Sequence, residues 1–452
     1  MGVRELRSYE DVVATTEIRC FEQPLQGKPR RRLQRTHLKE RVETVDLVSP
    51  DSGQLHVCGV SPGVRMMQRN VANLDEVARL TSDLVTIQSV NPDLVAEGGG
   101  EAEIASFVAS WLRDEGLVVE IVEPIRGRPS VVAALRGRGG GRTLMLNAHM
   151  DTVGAGGMRD PFSPVVDSGR LYGRGAYDMK GSLAAIMVTA KEARRLNLAG
   201  DLIVTAVADE EVASLGTSAV LERFKADAAI VTEPTEMQLC TAHKGFVWLE
   251  VMTRGIAAHG SRPDLGVDAI GHMGAILTLV MDLDRGLRRG VPHPLLGTGS
   301  IHASLIEGGQ ELSTYPARCV VKLERRTIPG ENGESALSEL EEVAAVAHER
   351  EPQLDASIRM TLDRNPSEVN PDSQVAAAVR ASAQEVLGTA PDVIGASYWM
   401  DMALLNAAGI PSVAFGPSGQ GAHADVEWVD IASLGLCVQI YLKAAALICG
   451  RS

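Results

Sequence analysis

From about residue 70 onward, the apolar positions alternate between two periods. Leu74, Val77, Leu80 and Leu84 recur at helical spacing, and Asn73 just ahead of them predicts an N-cap. Ile104, Phe107, Val108, Trp111 and Leu112 mark one face of a second helix, with Gly116 as its stop. Short β-branched runs at 118–122, 131–135 and 143–147 predict strands, and 182–196 is helical again. Apolar runs at 202–208, 228–231 and 412–415 predict further buried strands. Strands alternating with helices predict an α/β sheet covered on both faces.

Between residues 246 and 362 the order changes. Residues 246–254 alternate as a strand, 266–283 are helical, and 300–307 and 318–325 are strands; 334–348 is helical and 356–362 a strand. The order β-α-β-β-α-β is that of a ferredoxin-like unit. The chain is therefore expected to divide into an extension (1–70), a catalytic domain in two parts (71–245 and 363–452), and an inserted lid and dimerisation domain (246–362). The extension carries the basic run Lys28-Pro29-Arg30-Arg31-Arg32-Leu33-Gln34-Arg35 without sustained periodicity, and is expected to be a mobile arm, with Met66 or Met67 as an alternative start.

Length and composition narrow the function. A chain of 452 residues suits two domains, or one with an insertion. A formal net charge of −14 argues against nucleic acid or an anionic membrane as partner, since both need basic surface. The six cysteines are scattered without a C-x-x-C pair, which fits free thiols in a reducing compartment. The amino terminus lacks a signal-peptide apolar core, and no apolar run is expected to be long enough for a membrane span. A cytoplasmic protein acting on small soluble substrates is expected.

The candidate chemistry lies just beyond the predicted strands. His149-Met150-Asp151 follows one, Asp209-Glu210-Glu211 a second, Glu233 a third and His423 a fourth; Asp178 sits between a glycine-rich turn and a helix. In open α/β sheets ligands bind at the carboxyl ends of strands. Each element is weak alone: a His-x-Asp pair is usually solvated or a cap, and an acidic run usually opens a helix. Four strand ends delivering His or carboxylate together point to a metal site. Such a donor set, without cysteine, suits Zn²⁺, with Co²⁺ or Mn²⁺ as alternatives. Asp151 is placed to accept the second ring N–H of His149. Of Glu210 and Glu211, one is expected to bind metal and the other to act as base; spacing does not say which.

The stretches His149-Met150-Asp151-Thr152-Val153, Gly173-Arg174-Gly175-Ala176-Tyr177-Asp178-Met179-Lys180-Gly181, Asp209-Glu210-Glu211, Glu233-Pro234-Thr235 and Gly421-Ala422-His423 occur in this order. So do Ala258-His259-Gly260-Ser261-Arg262-Pro263, Gly308-Gly309 and Arg326-Thr327-Ile328-Pro329-Gly330. With these motifs the chain resembles, over about residues 74–450, the co-catalytic zinc metallohydrolases that include acetylornithine deacetylase, succinyl-diaminopimelate desuccinylase, aminoacylase and carboxypeptidase G.

The resemblance implies a zinc-exopeptidase-like catalytic domain. It implies two ions, one held by His149, Asp178 and Glu233 and the other by Asp178, Glu211 and His423. Glu210 would be the general base to a metal-activated water, Asp151 the orienting partner, and the peptide after Asp178 cis. His259 would stabilise the oxyanion from the partner subunit of a homodimer. Arg326 would grip a substrate carboxylate, with Ser313 and the Gly308–Gly309 turn also at the substrate. Ser313 stands where the family often has asparagine, and of the family's acidic pair after the last histidine only Glu427 is kept. The expected activity is hydrolysis of the amide of a small N-acyl amino acid. The alternatives are a dipeptidase or carboxypeptidase and, more remotely, a non-catalytic metal-binding scaffold, which would have no need of Glu210.

Overall fold

The computed structural model describes residues 62–450. The basic run and most of the expected extension lie outside the described residues. The first part of the chain forms α1 (Pro62–Thr86), α2 (Ala102–Asp114), β1 (Val118–Val122), β2 (Ser130–Leu135), β3 (Leu144–His149), β4 (Val165–Asp167) and β5 (Arg170–Tyr172). It continues with α3 (Gly181–Ala193), β6 (Leu202–Val207), α4 (Leu215–Arg223), β7 (Ala228–Val231) and β8 (Leu239–His243). Next come β9 (Gly245–Arg254), α5 (Ala269–Leu287), β10 (Ser300–Gly308), β11 (Arg318–Thr327), α6 (Gly333–Arg350) and β12 (Asp355–Arg364). The last part is β13 (Ser367–Glu368), α7 (Gln374–Leu387), β14 (Val393–Ala396), α8 (Met402–Ala407), β15 (Ser412–Ala414), β16 (Gly419–Gln420), β17 (Trp428–Asp430) and α9 (Ile431–Ile448).

The main sheet has the order β1-β2-β6-β3-β7-β15-β8-β13, with β14 pairing β8. At its centre β6, β3, β7 and β15 are parallel neighbours, so their carboxyl ends all open on the same edge. Alternate side chains of β3 go to opposite faces: Leu144 and Leu146 pack with α1, α3, α7 and α9, and Met145 packs on the side of α4 and α8. The sheet is thus buried on both faces, which is why its strands are continuous apolar runs.

Residues from β9 to β12 form a separate antiparallel sheet, order β10-β11-β9-β12, with α5 and α6 against one face and a core of their own. That is the ferredoxin-like arrangement. Asp268 caps α5 by accepting the N–H groups of Ile270 and Gly271, so the helix starts at Ala269 rather than at 266.

Two expectations are corrected. Asn73 is no cap: α1 already runs from Pro62, and Asn73 lies inside it. An apolar run of membrane-spanning length does exist, in α9, with a mean hydropathy of 1.8 over 18 residues. Leu434, Val438, Tyr441 and Ala445 are buried in the core against α1, α3 and α7, which accounts for its composition without a bilayer. A small sheet, β16-β17-β5-β4, was also not anticipated, its strands being two or three residues long.

Behind the sheet edge, the loop between β1 and β2 sends Arg128 into the interior. Its guanidinium donates to both oxygens of Glu101 at 2.6 and 2.8 Å, to Asp209 at 2.8 Å and to Asp93 at 2.7 Å. Glu101 is fully buried, and burial pushes its carboxyl above the usual range despite the arginine. Arg128→Met leaves two buried carboxylates without their cation and is expected to lower the unfolding free energy by about 3–5 kcal/mol in urea denaturation. Adding Glu101→Leu should recover part of that loss.

Candidate active site

Each of the four parallel strand ends contributes. His149 is the last residue of β3; Asp209, Glu210 and Glu211 follow β6; Glu233 follows β7; and the loop after β15 leads to His423. Asp178 comes from a kinked turn, Ala176–Lys180, ahead of α3, in which Asp178 (φ −121°, ψ 91°) and Met179 (φ −135°, ψ 35°) depart from helical geometry. In that turn the Asp178–Met179 peptide is cis. The turn needs Gly175, whose φ is +80° and where a Cβ would meet Thr152 Cγ2 at 2.7 Å.

Glu427 anchors the same turn. It is buried, pairs with Arg174 at 2.8 Å, and accepts the backbone N–H groups of Gly175, Tyr177 and Asp178 at 2.9–3.0 Å. The one member kept from the family's acidic pair therefore holds the Asp178 backbone in place.

The side chains converge as two trios sharing Asp178. His149 Nε2 lies 3.2 Å from Asp178 Oδ1 and 3.7 Å from Glu233 Oε1. His423 Nε2 lies 3.4 Å from Asp178 Oδ2 and 3.1 Å from Glu211 Oε2. Each carboxylate oxygen of Asp178 thus faces a different imidazole. Glu211, rather than Glu210, is the glutamate that meets His423. Glu210 also brings an oxygen within 4.8 Å of ligand atoms of His149 and Glu233.

Asp151 acts differently from expectation. The second ring nitrogen of His149 is 2.9 Å from the backbone carbonyl of Asp151, and 3.7 Å from its carboxylate. The main-chain carbonyl thus takes Nδ1–H, and Nε2 is the nitrogen that faces the cluster. The Asp151 carboxylate instead accepts the backbone N–H groups of Glu210 at 3.1 Å and Glu211 at 3.2 Å, and the amide of Asn91 at 2.8 Å. The same Asn91 nitrogen reaches Asp209 at 3.0 Å, and Asp209 in turn receives Arg128. Asp209 has φ +69°, an unfavourable conformation that these bonds hold. Asn91, Arg128 and Asp209 thus fix the turn bearing both glutamates; Asp209 stands in the acidic run, whereas Asn91 and Arg128 have no motif and only contact reveals them.

The cluster's electrostatics call for cations. Burial, then the charge of Glu233, pushes Glu210 well above the usual carboxylate range; burial, then Asp178, does the same to Glu233. Burial opposes a charge on His149, but the hydrogen bond to Asp178 and the charges of Glu233 and Glu210 outweigh it and hold its pKa well above the ordinary value. His423 is pushed up to about 10 by Asp178 and Glu211. Asp401, buried beside the cluster, is pushed up to about 6 by burial. Glu211 Oε1 is buried without a hydrogen-bond partner. An orphaned oxygen, an imidazole nitrogen facing each oxygen of Asp178, and an all-nitrogen-and-oxygen donor set fit two divalent ions.

Other expected residues are not at this cluster. His259 is exposed and hydrogen-bonded to Ser261 at 2.8 Å; Ser313 meets the same loop, its carbonyl accepting from Gly260 at 2.7 Å. Gly308 ends β10 and Gly309 follows it. Arg326 pairs with Glu324 at 2.7 Å and lies over Phe246. A cavity of about 290 Å³ beside the cluster is lined by Asp178, Glu210, Glu211, Glu233 and His423, and by Tyr177, Pro234, Tyr398, Trp399 and Ala422; none of these five lid positions lines it.

Residues 145–447 match the model of peptidase family M20/M25/M40. The chain is 32% identical over 377 residues to acetylornithine deacetylase of Myxococcus xanthus, covering 80% of this chain and 93% of the relative. It is 28% identical over 411 residues to the N-formyl-4-amino-5-aminomethyl-2-methylpyrimidine deformylase of Bacillus subtilis, covering 83% and 95%. Among solved structures, a dinuclear metal-binding M20 peptidase of Bacillus subtilis shares the fold at a TM-score of 0.63 and 18% identity, over 84% of this chain and 100% of that one. With a family model over two-thirds of its length and the site on the expected strand ends, the chain belongs to peptidase family M20/M25/M40.

Proposed function

We propose that this metal-dependent amidohydrolase removes the acyl group from small N-acyl amino acids. The observation that carries the reading is Asp178 shared between two His–carboxylate trios, with Glu210 beside them. His149, Asp178 and Glu233 would hold one ion and Asp178, Glu211 and His423 the other. Zn²⁺ is the ion we favour, with Co²⁺ or Mn²⁺ as alternatives on the same donor chemistry. When bound, such a pair supplies an acidic water and polarises the substrate carbonyl.

The remaining steps belong to the chain. Glu210, half-buried and with a raised pKa, accepts the proton of the attacking water and passes it to the leaving amine. Asp151 fixes where Glu210 and Glu211 start, through their backbone N–H groups. Tyr177 and Tyr398 help exclude water from the cavity. His259, supplied by the lid of a second subunit, is our candidate for oxyanion stabilisation, and Arg326 our candidate for the substrate carboxylate.

The curated relative named as a deacetylase supports acyl removal. A dipeptidase or carboxypeptidase is the alternative within the same chemistry. Four buried unpaired cysteines among the described residues agree with cytoplasmic residence, which we propose with it. A homodimer through the lid is supported by β10, an edge strand with Leu305 and Ile306 exposed, beside Ile270 and Met281 on α5.

Four outcomes test this. Hydrolysis of a panel of N-formyl, N-acetyl and N-succinyl amino acids and dipeptides by the metal-loaded protein should show acyl amino acids as the better substrates. Glu210→Gln should keep two ions by metal analysis while kcat falls by about 10²–10⁴. Glu211→Ala should instead bind one ion; retention of two would reassign that ligand. Ile306→Asp should sediment as a monomer where the parent sediments as a dimer.

A further inference from the structure

The cavity beside the metal cluster has an unusual wall. Tyr177, Tyr398 and Trp399 supply three of its ten lining residues, although aromatic residues are 4% of the chain. Tyr177 is buried, Trp399 half-buried and Tyr398 exposed.

Their polar tips are already occupied. The Tyr177 hydroxyl donates to Glu236, the Tyr398 hydroxyl to the carbonyl of Pro234 at 2.9 Å, and Trp399 Nε1 to the carbonyl of Asn365 at 3.1 Å. What remains for a ligand is ring surface, held in place at three points. Behind Trp399, Phe246 meets it edge-on with centroids 6.3 Å apart, and the Arg364 guanidinium stacks 5.8 Å from its ring centroid. Such support fixes the indole plane before any ligand arrives, which lowers the ordering cost of binding.

The rest of the lining carries no competing specificity. Apart from the His and carboxylate cluster, the other lining residues are Pro234 and Ala422; no lysine, arginine, serine, threonine, asparagine or glutamine is among them. A charged or strongly polar substrate side chain placed here would lose water and find partners only in carboxylates assigned to the ions. A flat apolar ring gains offset or edge-to-face contacts and loses little.

We propose that this wall is a subsite for an uncharged planar ring of the substrate, with Tyr398 and Trp399 as its specificity-determining residues. The ring lies on the acyl or amine portion next to the scissile amide. The proposal rests on the amidohydrolase reading for its substrate, but ring binding is separable from turnover.

The test uses the metal-loaded Glu210→Gln protein for binding and the wild-type protein for turnover. N-formyl, N-acetyl and N-succinyl derivatives of phenylalanine, alanine and ornithine are compared by calorimetric titration and by kcat/KM. Phenylalanine derivatives are expected to bind about tenfold or more tightly than the matched alanine and ornithine compounds. Tyr398→Ala, at an exposed position, and Trp399→Leu should each bring the phenylalanine-to-alanine ratio towards one. Equal or weaker binding of the ring compounds, or a ratio that neither variant moves, overturns the subsite. Turnover without ring preference likewise overturns the subsite and leaves the amidohydrolase reading standing. Ring preference in binding without turnover of any compound sustains the subsite and overturns that reading.

Discussion

Everything at the centre of this molecule depends on Asp178 lying between two imidazoles. One oxygen faces His149 and the other His423, while Glu210, Glu211, Glu233 and Asp401 crowd the same buried space. Without cations the charges oppose one another, and burial penalises each of them. The fold makes that arrangement tolerable by tying down the backbone rather than the charges. Glu427 holds the Asp178 turn through three main-chain N–H groups, and Asp151 holds the Glu210–Glu211 turn through two. Both are carboxylates satisfied by amide donors, an interaction that leaves the ligand side chains free to face metal.

Those anchoring carboxylates were only partly legible in the sequence. The ligand positions were, because strand ends have a local signature: an apolar run that stops at a polar residue. Four such ends in one chain are improbable unless they meet. Asp151 shows the limit of the argument. Its spacing from His149 suggested a side-chain bond to the imidazole, yet the chain turns so that the carbonyl takes that place and the carboxylate points at the next strand's loop. Two residues of separation specify proximity but not which oxygen arrives first. Glu101 and Arg128 are further from legibility: their pairing spans 27 residues and depends on a loop that has no periodicity.

Element boundaries failed for an equally physical reason. Asn73 has a residue type that favours caps, but a favourable residue type does not fix a boundary, and the helix already runs from Pro62. In α9 the opposite occurred. Its composition reaches that of a membrane span because nearly every face meets another helix or the sheet, and hydropathy alone does not distinguish a buried neighbour from lipid.

The lid explains why chemistry is easier to infer than substrate. Ligands of an ion must approach to a fixed distance, and the strand ends of one rigid sheet enforce it. Recognition residues only have to be present when the substrate is, so they can sit on a different sheet. His259 and Ser313 share one corner of the lid, while Arg326 lies over Phe246, which meets Trp399 edge-on at the cavity. That stack of Arg326, Phe246 and Trp399 joins the lid's first strand to the wall of the metal cavity. The His and carboxylate cluster is held from another side, by Asp151 and Glu427 through the backbone of its two turns.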